Sequence, residues 1–300
     1  MKKNKTMIVC FILPAIITFV FMFLYPVVRT VIMSFFKVEN VTGDLSTWSF
    51  YGLENYIKLF KTEIFIRSLT NIAKIWLVGG IIVLSISLLL AVILSSGIRF
   101  KNFFRAVIYL PNVISAVALA TMWIQYIFSK RYGLLTGIGR ALGIDSLAKM
   151  NFLGADTKFW AMLVAFCFGA VGYYMLIFLS GIERIPQDIY EAATIDGANK
   201  FRQFTNITMP LLRGVFKTNI TFWSINAISF YIWSLMFSPV DTEAATIVPV
   251  QYMINIVFGA KGMVERDAGR GAAIGVTLAL LVLIIFFVFN KLIKDDEIEY

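Results

Sequence analysis

The sequence predicts an all-α polytopic membrane protein with six transmembrane helices. Of the 300 residues, 59% are hydrophobic and only 15% are charged, whereas soluble domains average about 45–50% apolar and 25% charged residues. Six segments of 20 to 24 residues contain no Asp, Glu, Lys or Arg, and about 20 apolar residues cross a bilayer as a helix. The predicted spans are residues 6–28, 75–98, 106–129, 159–182, 218–240 and 271–290. An even number of spans puts both termini on the same side.

The first span follows a basic tail that contains Lys2, Lys3 and Lys5. Its apolar run is longer than the 7–15 residues usual in a signal peptide, and no small-residue cleavage motif follows. We therefore expect a retained anchor. Pro14 and Pro26 are expected to bend or end this helix, because proline removes a backbone donor.

Three long loops, residues 37–74, 130–158 and 241–270, separate the predicted spans. The first carries an amphipathic run over residues 57–65, and the second has apolar residues at roughly helical spacing over 134–144. The second is expected to lie along the membrane surface. An uncharged gap at 244–260 contains Pro249, Gln251 and Asn255, so it predicts a short extracytoplasmic helix and not a seventh span.

Positive residues in short segments indicate the cytoplasmic side. They are dense in the N-terminal tail and in the link that holds Arg99, Lys101 and Arg105. With alternating spans, both segments lie on the same side as residues 191–210 and Lys294. The formal charge of +9 is therefore explained by membrane topology and predicts no nucleic-acid partner.

The sequence offers few groups for chemistry. It has no His, and its two cysteines, Cys10 and Cys167, lie far apart in apolar segments, so we predict no catalytic residue, metal site or cofactor in this chain. It also lacks the phosphate-binding motif Gly-x-x-x-x-Gly-Lys-Ser/Thr, so it is not itself an ATP hydrolase. The predicted spans contain no ionisable acid or base, which argues against proton coupling.

Residues 191–210 predict a compact helix–turn–helix between two spans. A helix over 187–195 is broken at Asp196-Gly197, because glycine readily takes the left-handed conformation that ends helices. A second helix is predicted to place Phe201, Phe204, Ile207 and Leu211 on one apolar face. Pro210 suits the first turn of the next helix. A charged two-helix element on a membrane protein is suited to dock a soluble partner.

The same stretch resembles a known motif. Glu191-Ala192-Ala193, Asp196-Gly197-Ala198, Phe204, Ile207 and Pro210 resemble the EAA loop of ABC importer permeases, and Ile185-Pro186 followed by Tyr190 looks like the carbohydrate-uptake class of the maltose, multiple-sugar and glycerol-3-phosphate type. The resemblance implies a cytoplasmic coupling loop at 184–212. It assigns contact with an ATP-binding subunit to Glu191, Ala192, Ala193, Asp196, Gly197, Phe204 and Pro210.

Further stretches extend the resemblance over nearly the whole chain. They are Gly52-Leu53 with Asn55-Tyr56, Leu110-Pro111-Asn112 with Ile114-Ser115, and Trp123. The resemblance implies one permease domain over 1–300 with the type I ABC importer fold and both termini cytoplasmic, in a prokaryotic cytoplasmic (inner) membrane. It also implies four further partners: a second permease that completes a heterodimer, two ATP-binding subunits that use ATP and Mg²⁺, and an extracytoplasmic solute-binding protein.

Uncharged polar and aromatic side chains within the predicted spans suit a sugar, whose hydroxyls need hydrogen-bond partners and whose C–H face packs on aromatic rings. The candidate substrate path comprises Tyr173, Trp223, Asn226, Ser229, Trp123 and Tyr126. Hydrogen bonding between helices explains the same residues equally well. Three other functions stay open: an ATP-independent secondary transporter, an ABC permease for glycerol-3-phosphate or another polyol derivative, and an integral-membrane enzyme.

Overall fold

The computed structural model describes residues 5–239, 243–259 and 266–293, and most of these residues are helical. The α-helices, numbered in chain order, are α1 Lys5–Phe19, α2 Tyr25–Met33, α3 Glu54–Lys61, α4 Glu63–Lys74, α5 Gly80–Ser95, α6 Lys101–Val113, α7 Ala116–Met122, α8 Leu134–Ala141, α9 Asp145–Lys149, α10 Lys158–Ile182, α11 Gln187–Ile195, α12 Lys200–Gln203, α13 Met209–Leu211, α14 Arg213–Ile228, α15 Tyr231–Phe237, α16 Pro249–Phe258 and α17 Ala268–Leu292.

Short π-helical segments continue several of these helices. They are Val20–Leu24, Ile75–Gly79, Trp123–Ile127 and Phe204–Thr208. A π turn adds one residue to a helical turn, so it shifts the faces of the helix before and after it. Two short strands, β1 Phe36–Lys37 and β2 Ser49–Phe50, pair antiparallel.

The chain divides into two compact units. Unit 1 comprises residues 1–66 and 249–280, and unit 2 comprises residues 67–248 and 281–300.

Unit 1 is organised around Asn55. Its side-chain amide, 2% exposed, donates to the carbonyl oxygens of Ser34 at 2.9 Å and Phe36 at 2.8 Å. The chain reverses at Gly52, where φ is +56°, and so brings α3 back to the end of α2. On the exposed side of α3, the Lys58 ammonium donates to the Tyr51 hydroxyl, and this hydrogen bond raises the pKa of Lys58.

Unit 2 is built around α10, the most deeply buried of the long helices. Glycine allows α6 to approach α10 closely, since a Cβ at Gly172 would lie 2.4 Å from the carbonyl oxygen of Ile108. On another side of α10, Ser87 of α5 donates to the carbonyl oxygen of Val171 at 2.8 Å. The core thus forms from helices that are distant in sequence.

Four continuous helical stretches are long and apolar enough to cross a membrane among the described residues: Val9–Met33, Glu63–Ser95, Lys158–Ile182 and Ala268–Leu292. The prediction for 159–182 agrees closely with α10, whereas the second span begins before residue 75. Neither Pro14 nor Pro26 ends the first span, because the helical stretch continues to Met33. The π segment directly before Pro26 shifts the hydrogen-bond register where proline lacks a donor.

The third and fifth predicted spans are each divided into two helices, which corrects the expectation of one helix apiece. α6 and α7 meet at 97°, because Ile114 and Ser115 are extended, with ψ of 137° and 135°. α14 and α15 meet at 43° around Ser229 and Phe230. The described chain therefore has six candidate spans only if each bent pair counts as one.

The loops are more broken than their apolar patterns predict. The run over 57–65 is interrupted at Thr62, which is extended and separates α3 from α4. The helix predicted over 134–144 stops at Ala141, since Gly143 takes a φ of +68°. Within 244–260, α16 has 10 residues and a length of about 15 Å, too short for a hydrocarbon core of about 30 Å. The segment thus contains a helix that is too short to be a span, as predicted.

Candidate functional site

The coupling loop, residues 184–212, turns at Gly197. Gly197 has a φ of +80°. The Gly197 N–H donates to the Thr194 carbonyl at 3.1 Å and the Ala198 N–H donates to the Ala193 carbonyl at 2.8 Å. This pair of bonds is the Schellman arrangement that ends a helix at a left-handed glycine. The predicted break at Asp196-Gly197 is confirmed.

One buried glutamine joins the two helices of the loop. Gln203 is 4% exposed. Its Nε2 donates to Thr194 Oγ1 at 2.8 Å and to the Ala198 carbonyl at 3.2 Å. Close by, the hydroxyls of Tyr190 and Thr208 are 2.9 Å apart. The inner face of the loop is therefore polar, and its hydrogen bonds fix the angle between its helices.

The predicted apolar face of the second helix is wrong. Phe201 is 72% exposed, and the buried positions are Gln203, Thr208 and Leu212. The cause is the π segment Phe204–Thr208, which replaces three- and four-residue spacing with a five-residue step between Gln203 and Thr208. Pro210 lies in the first turn of α13, as predicted.

The outer surface of the loop combines charge with apolar side chains. Glu191 accepts a hydrogen bond from Gln187 Nε2 at 2.9 Å, which holds its carboxylate along α11. Ile195 is 87% exposed and, with Phe201, adds apolar area at the loop tip. Such a surface suits contact with a soluble protein.

The basic link between the second and third spans lies beside the coupling loop. Lys101 Nζ, at the start of α6, is 3.8 Å from Glu183 Oε1, at the end of α10. The two segments that the sequence places on one side of the membrane therefore occupy the same end of unit 2.

Tyr173 and Asn226 of the predicted substrate path both contact Tyr174. Asn226 Nδ2 donates to the hydroxyl of Tyr174, which is fully buried, at 3.3 Å. The ring of Tyr173 meets that of Tyr174 edge-on at 5.1 Å. Tyr173 and Asn226 are half-buried, and Tyr174 contacts Tyr173 through its ring and Asn226 through its hydroxyl.

Trp223 belongs to a packed joint between α14 and the helix that precedes α5. Its Nε1 donates to the carbonyl oxygen of Trp76 at 2.8 Å, and Trp76 Nε1 donates to Ser224 Oγ at 2.9 Å. The ring, 1% exposed, covers two glycines. A Cβ would lie 3.0 Å from the ring at Gly79 and 2.6 Å at Gly80. We call Trp76, Gly79, Gly80, Trp223 and Ser224 the tryptophan joint. This geometry gives Trp223 a structural role and does not support contact with substrate.

The remaining predicted path residues are dispersed. Trp123 packs against Phe128 and Phe168, at ring distances of 5.1 and 5.4 Å, and its Nε1 finds no hydrogen-bond partner among the described residues. Tyr126 is 68% exposed. Ser229 donates to the carbonyl oxygen of Ile225 at 3.0 Å.

A cavity of about 660 Å³ runs along the second half of α10 to the coupling loop. The residues that line it include Tyr109, Tyr173, Ser180, Arg184, Arg213 and Thr218. Of the predicted path, only Tyr173 lines this cavity. The described residues contain no group of three or more Cys, Asp or Glu side chains placed to hold a metal ion.

Sequence reasoning missed Gln203 and Trp76 as organising residues. The apolar pattern predicts that Gln203 lies on the polar, exposed side of the second helix. It is buried because the π segment Phe204–Thr208 changes which residues face inward. The pair Gly79-Gly80 signals a close approach within a span, but it does not identify Trp223 as the side chain that approaches.

Comparison with known proteins shows the family to which the chain belongs. Residues 83–294 match the family described as "Binding-protein-dependent transport system inner membrane component". The chain belongs to this family. It is a membrane permease component of a binding-protein-dependent transport system, as the EAA-like stretch predicts.

Individual relatives agree over most of the chain. "Diacetylchitobiose uptake system permease protein NgcF" of Streptomyces coelicolor is 28% identical over 279 residues, which cover 88% of this chain and 77% of the relative. "Arabinooligosaccharides transport system permease protein AraP" of Bacillus subtilis is 29% identical over 94% of this chain and 87% of its own length. A chain from the crystal structure of a bacterial ABC transporter involved in the import of the acidic polysaccharide alginate has a TM-score of 0.81 at 20% identity, over 97% of this permease and 96% of that chain. At that identity the likeness shows the fold.

Proposed function

We propose that this permease is one subunit of an ABC importer that moves a sugar or short oligosaccharide across a prokaryotic cytoplasmic membrane. The observation that carries the proposal is the coupling loop, a hydrogen-bonded two-helix element with an exposed charged and apolar surface, in a chain of the binding-protein-dependent permease family. The sugar class is supported by relatives whose names specify diacetylchitobiose and arabinooligosaccharides.

The proposed assembly has four further subunits: a second, different permease, two ATP-binding subunits that use ATP and Mg²⁺, and an extracytoplasmic solute-binding protein. Closure of the ATP-binding subunits pushes on the coupling loop, and the spans then rock between inward and outward openings. In this scheme Glu191 and Asp196 supply charge for docking, and Ala192 and Ala193 let the partner surface approach closely. Gly197 sets the turn, while Phe204 and Pro210 continue the contact toward α14.

The test of this function is uptake into vesicles that contain all membrane subunits. With the binding protein outside and ATP inside, we expect accumulation of a labelled oligosaccharide. We also expect Glu191→Lys to lower transport, substrate-stimulated ATPase and co-purification of the ATP-binding subunits together. Asn206→Lys, on the same loop but outside the EAA pattern, is the matched control. Uptake that proceeds without ATP would identify a secondary transporter. Uptake of glycerol-3-phosphate, with no response to sugars, would identify the polyol class.

We further propose six spans over one permease domain, 1–300, with both termini cytoplasmic. Each bent helix pair then crosses once, and Gly197 and Lys294 face inward while Gly143 and Gly262 face outward. Gly262 and Lys294 lie outside the described residues. Single cysteines at the four positions, in a chain without Cys10 and Cys167, should react with an impermeant thiol reagent only at 143 and 262. Labelling of position 294 in intact cells would indicate a seventh span.

The sugar path is proposed to pass Tyr173, Asn226 and Ser229, with Trp123 and Tyr126 farther along. Tyr173 supports this path because it lines the cavity that reaches the coupling loop. If these residues contact sugar, Tyr173→Ala and Asn226→Ala should impair transport while assembly, thermal stability and basal ATPase stay near normal. A parallel fall of stability and transport would assign them to helix packing. Full transport in both variants would remove them from the path.

A further inference from the structure

The short helix α3 of unit 1 has three sides of different character. Successive residues of an α-helix lie about 100° apart around its axis, so residues three or four apart share a side. One side is buried in the protein and comprises Asn55 and Leu59. The second is charged and exposed, and comprises Glu54, Lys58 and Lys61. The third, which we call the apolar stripe, is also exposed and comprises Leu53, Ile57 and Phe60.

Contacts with the end of α2 fix the level of α3. The Asn55 amide donates to the carbonyl oxygen of Ser34 at 2.9 Å, and the Tyr56 hydroxyl donates to Ser34 Oγ at 2.8 Å. The rings of Tyr56 and Phe35 are 5.9 Å apart. Ser34 directly follows the candidate span Val9–Met33. In a membrane permease this level is the boundary between hydrocarbon and water.

The apolar stripe is continuous but narrow. The Ile57 N–H donates to the carbonyl oxygen of Leu53 at 3.0 Å, so Leu53 forms part of the first turn of the helix. Lys61 follows Phe60 directly and lies at the edge of the stripe. A stable protein interface takes about 20–30 residues from each partner, whereas the stripe presents three apolar side chains with charge beside them. The stripe is too small to form a subunit interface by itself.

A lipid surface fits all three sides of α3 at once. The most apolar part of the candidate span Val9–Met33 is 0% buried within the chain, so apolar surroundings adjoin the helix to which α3 is fixed. Helices that lie in a membrane interface bury an apolar face about 5–10 Å deep and carry lysines on the polar face. Lysine side chains at this level extend toward the headgroups. Protein, water and lipid then each meet a matching side of the helix.

We propose that α3 lies in the interfacial layer of the membrane. The apolar stripe inserts between phospholipid acyl chains, and Lys58 and Lys61 lie at the level of the headgroups. The depth of the helix follows from its attachment to α2. Only the choice of leaflet, the outer one, rests on the proposed topology. Through Asn55 and Tyr56, the lipid surface then holds the end of the first span in place.

Spin labels on the full-length chain in phospholipid nanodiscs test this depth. In a chain without Cys10 and Cys167, the label is attached to one new cysteine at a time. Two positions are on the stripe, Ile57→Cys and Phe60→Cys, and two matched controls are on the charged side, Glu54→Cys and Lys61→Cys. All four positions are exposed, so the labels leave the core intact.

Electron paramagnetic resonance compares collisions of each label with oxygen, which concentrates in hydrocarbon, and with a water-soluble nickel chelate. Labels at 57 and 60 should collide mainly with oxygen, at a depth of about 5–10 Å. Labels at 54 and 61 should collide mainly with the chelate. Because residues 60 and 61 are neighbours in the chain, a change of collision partner between them reports the side of the helix and not its distance along the chain.

Two results would overturn the interfacial placement of α3. Collisions with the chelate at all four positions would show that the stripe faces water. Loss of collisions with both reagents at 57 and 60 would show that protein covers it, and loss only in the assembled importer would assign that cover to another subunit. We expect the same depth in the chain alone and in the importer. Reversed topology or failed sugar uptake would leave these depths unchanged, so the proposed function and the lipid contact fail independently.

Discussion

The coupling loop and the tryptophan joint each hold two helical segments together, but the segments are close in sequence in the loop and far apart in the joint. Each joins a pair of helices through a buried side chain with an N–H donor, Gln203 in the loop and Trp223 in the joint. In the loop the partners of Gln203 lie at most 13 residues away. In the joint Trp223 and Trp76 are 147 residues apart.

The two regions also differ in burial, which affects how much stability is lost when a contact is removed. The loop is exposed on its outer surface, so water replaces part of any hydrogen bond that is lost. The joint is buried, and a lost group there leaves a void or an unpaired carbonyl. We therefore expect changes in the joint to reduce the stability of unit 2 as a whole, and changes in the loop to act locally on coupling.

The largest effect should follow from Trp223→Ala. It removes a fully packed indole ring, and such changes lower the free energy of unfolding by about 3–5 kcal/mol. Chemical unfolding of the purified chain in mixed micelles measures the loss. Trp160→Ala is the control, because Trp160 is 50% exposed and should cost far less. Equal losses for both tryptophans would contradict the joint.

A smaller effect is expected from Gly80→Ala. The new methyl group would lie 2.6 Å from Trp223 Nε1, and overpacking of this kind costs about 1–3 kcal/mol. The same unfolding assay applies. In the Trp223→Ala background the penalty should largely disappear, because the clashing ring is absent. Gly137→Ala, with nothing within 4 Å of the added carbon, should be neutral; a matching loss there would indicate a general response to alanine.

In the loop, Gly197→Val should act through the backbone alone. No atom lies within 4 Å of an added Cβ, but φ is +80°, which costs a residue with a Cβ about 1–2 kcal/mol. We expect lower transport and substrate-stimulated ATPase, with unchanged unfolding of unit 2. Asn tolerates this region best after glycine, so Gly197→Asn should retain most coupling. Normal turnover in the valine variant would exclude the turn from the mechanism.

The smallest effect is expected from Gln203→Ala, about 1 kcal/mol for the lost hydrogen bonds. Backbone amides of α11 and α12 should exchange faster with deuterated solvent, while those of α10 should not change. Asn206→Ala, at an exposed position, is the comparison and should leave exchange as it is. Protection that persists without Gln203 would mean that the Tyr190–Thr208 contact alone orders the loop.

The contrast also explains what could be predicted from the sequence. Glycine and proline have backbone preferences that do not depend on distant residues. The turn at Gly197 and the place of Pro210 in the first turn of a helix could therefore be predicted from the sequence. The extent of α10 followed from composition alone. The bend after Val113 and the π turn at Phe204–Thr208 depend on packing against distant helices, so neither was predicted. The misplaced apolar face of the second loop helix has this origin, as does the unexpected packing role of Trp223.

The tryptophan joint also has a consequence for the movement proposed for the spans. The ring of Trp223 packs against Gly79 and Gly80, and its Nε1 donates to the carbonyl oxygen of Trp76. Rotation of α14 about its axis would therefore break these contacts. A shift of α14 along its axis would break the same contacts. In the proposed import cycle, we therefore expect a displacement at Arg213, the first residue of α14, to move α5 together with α14.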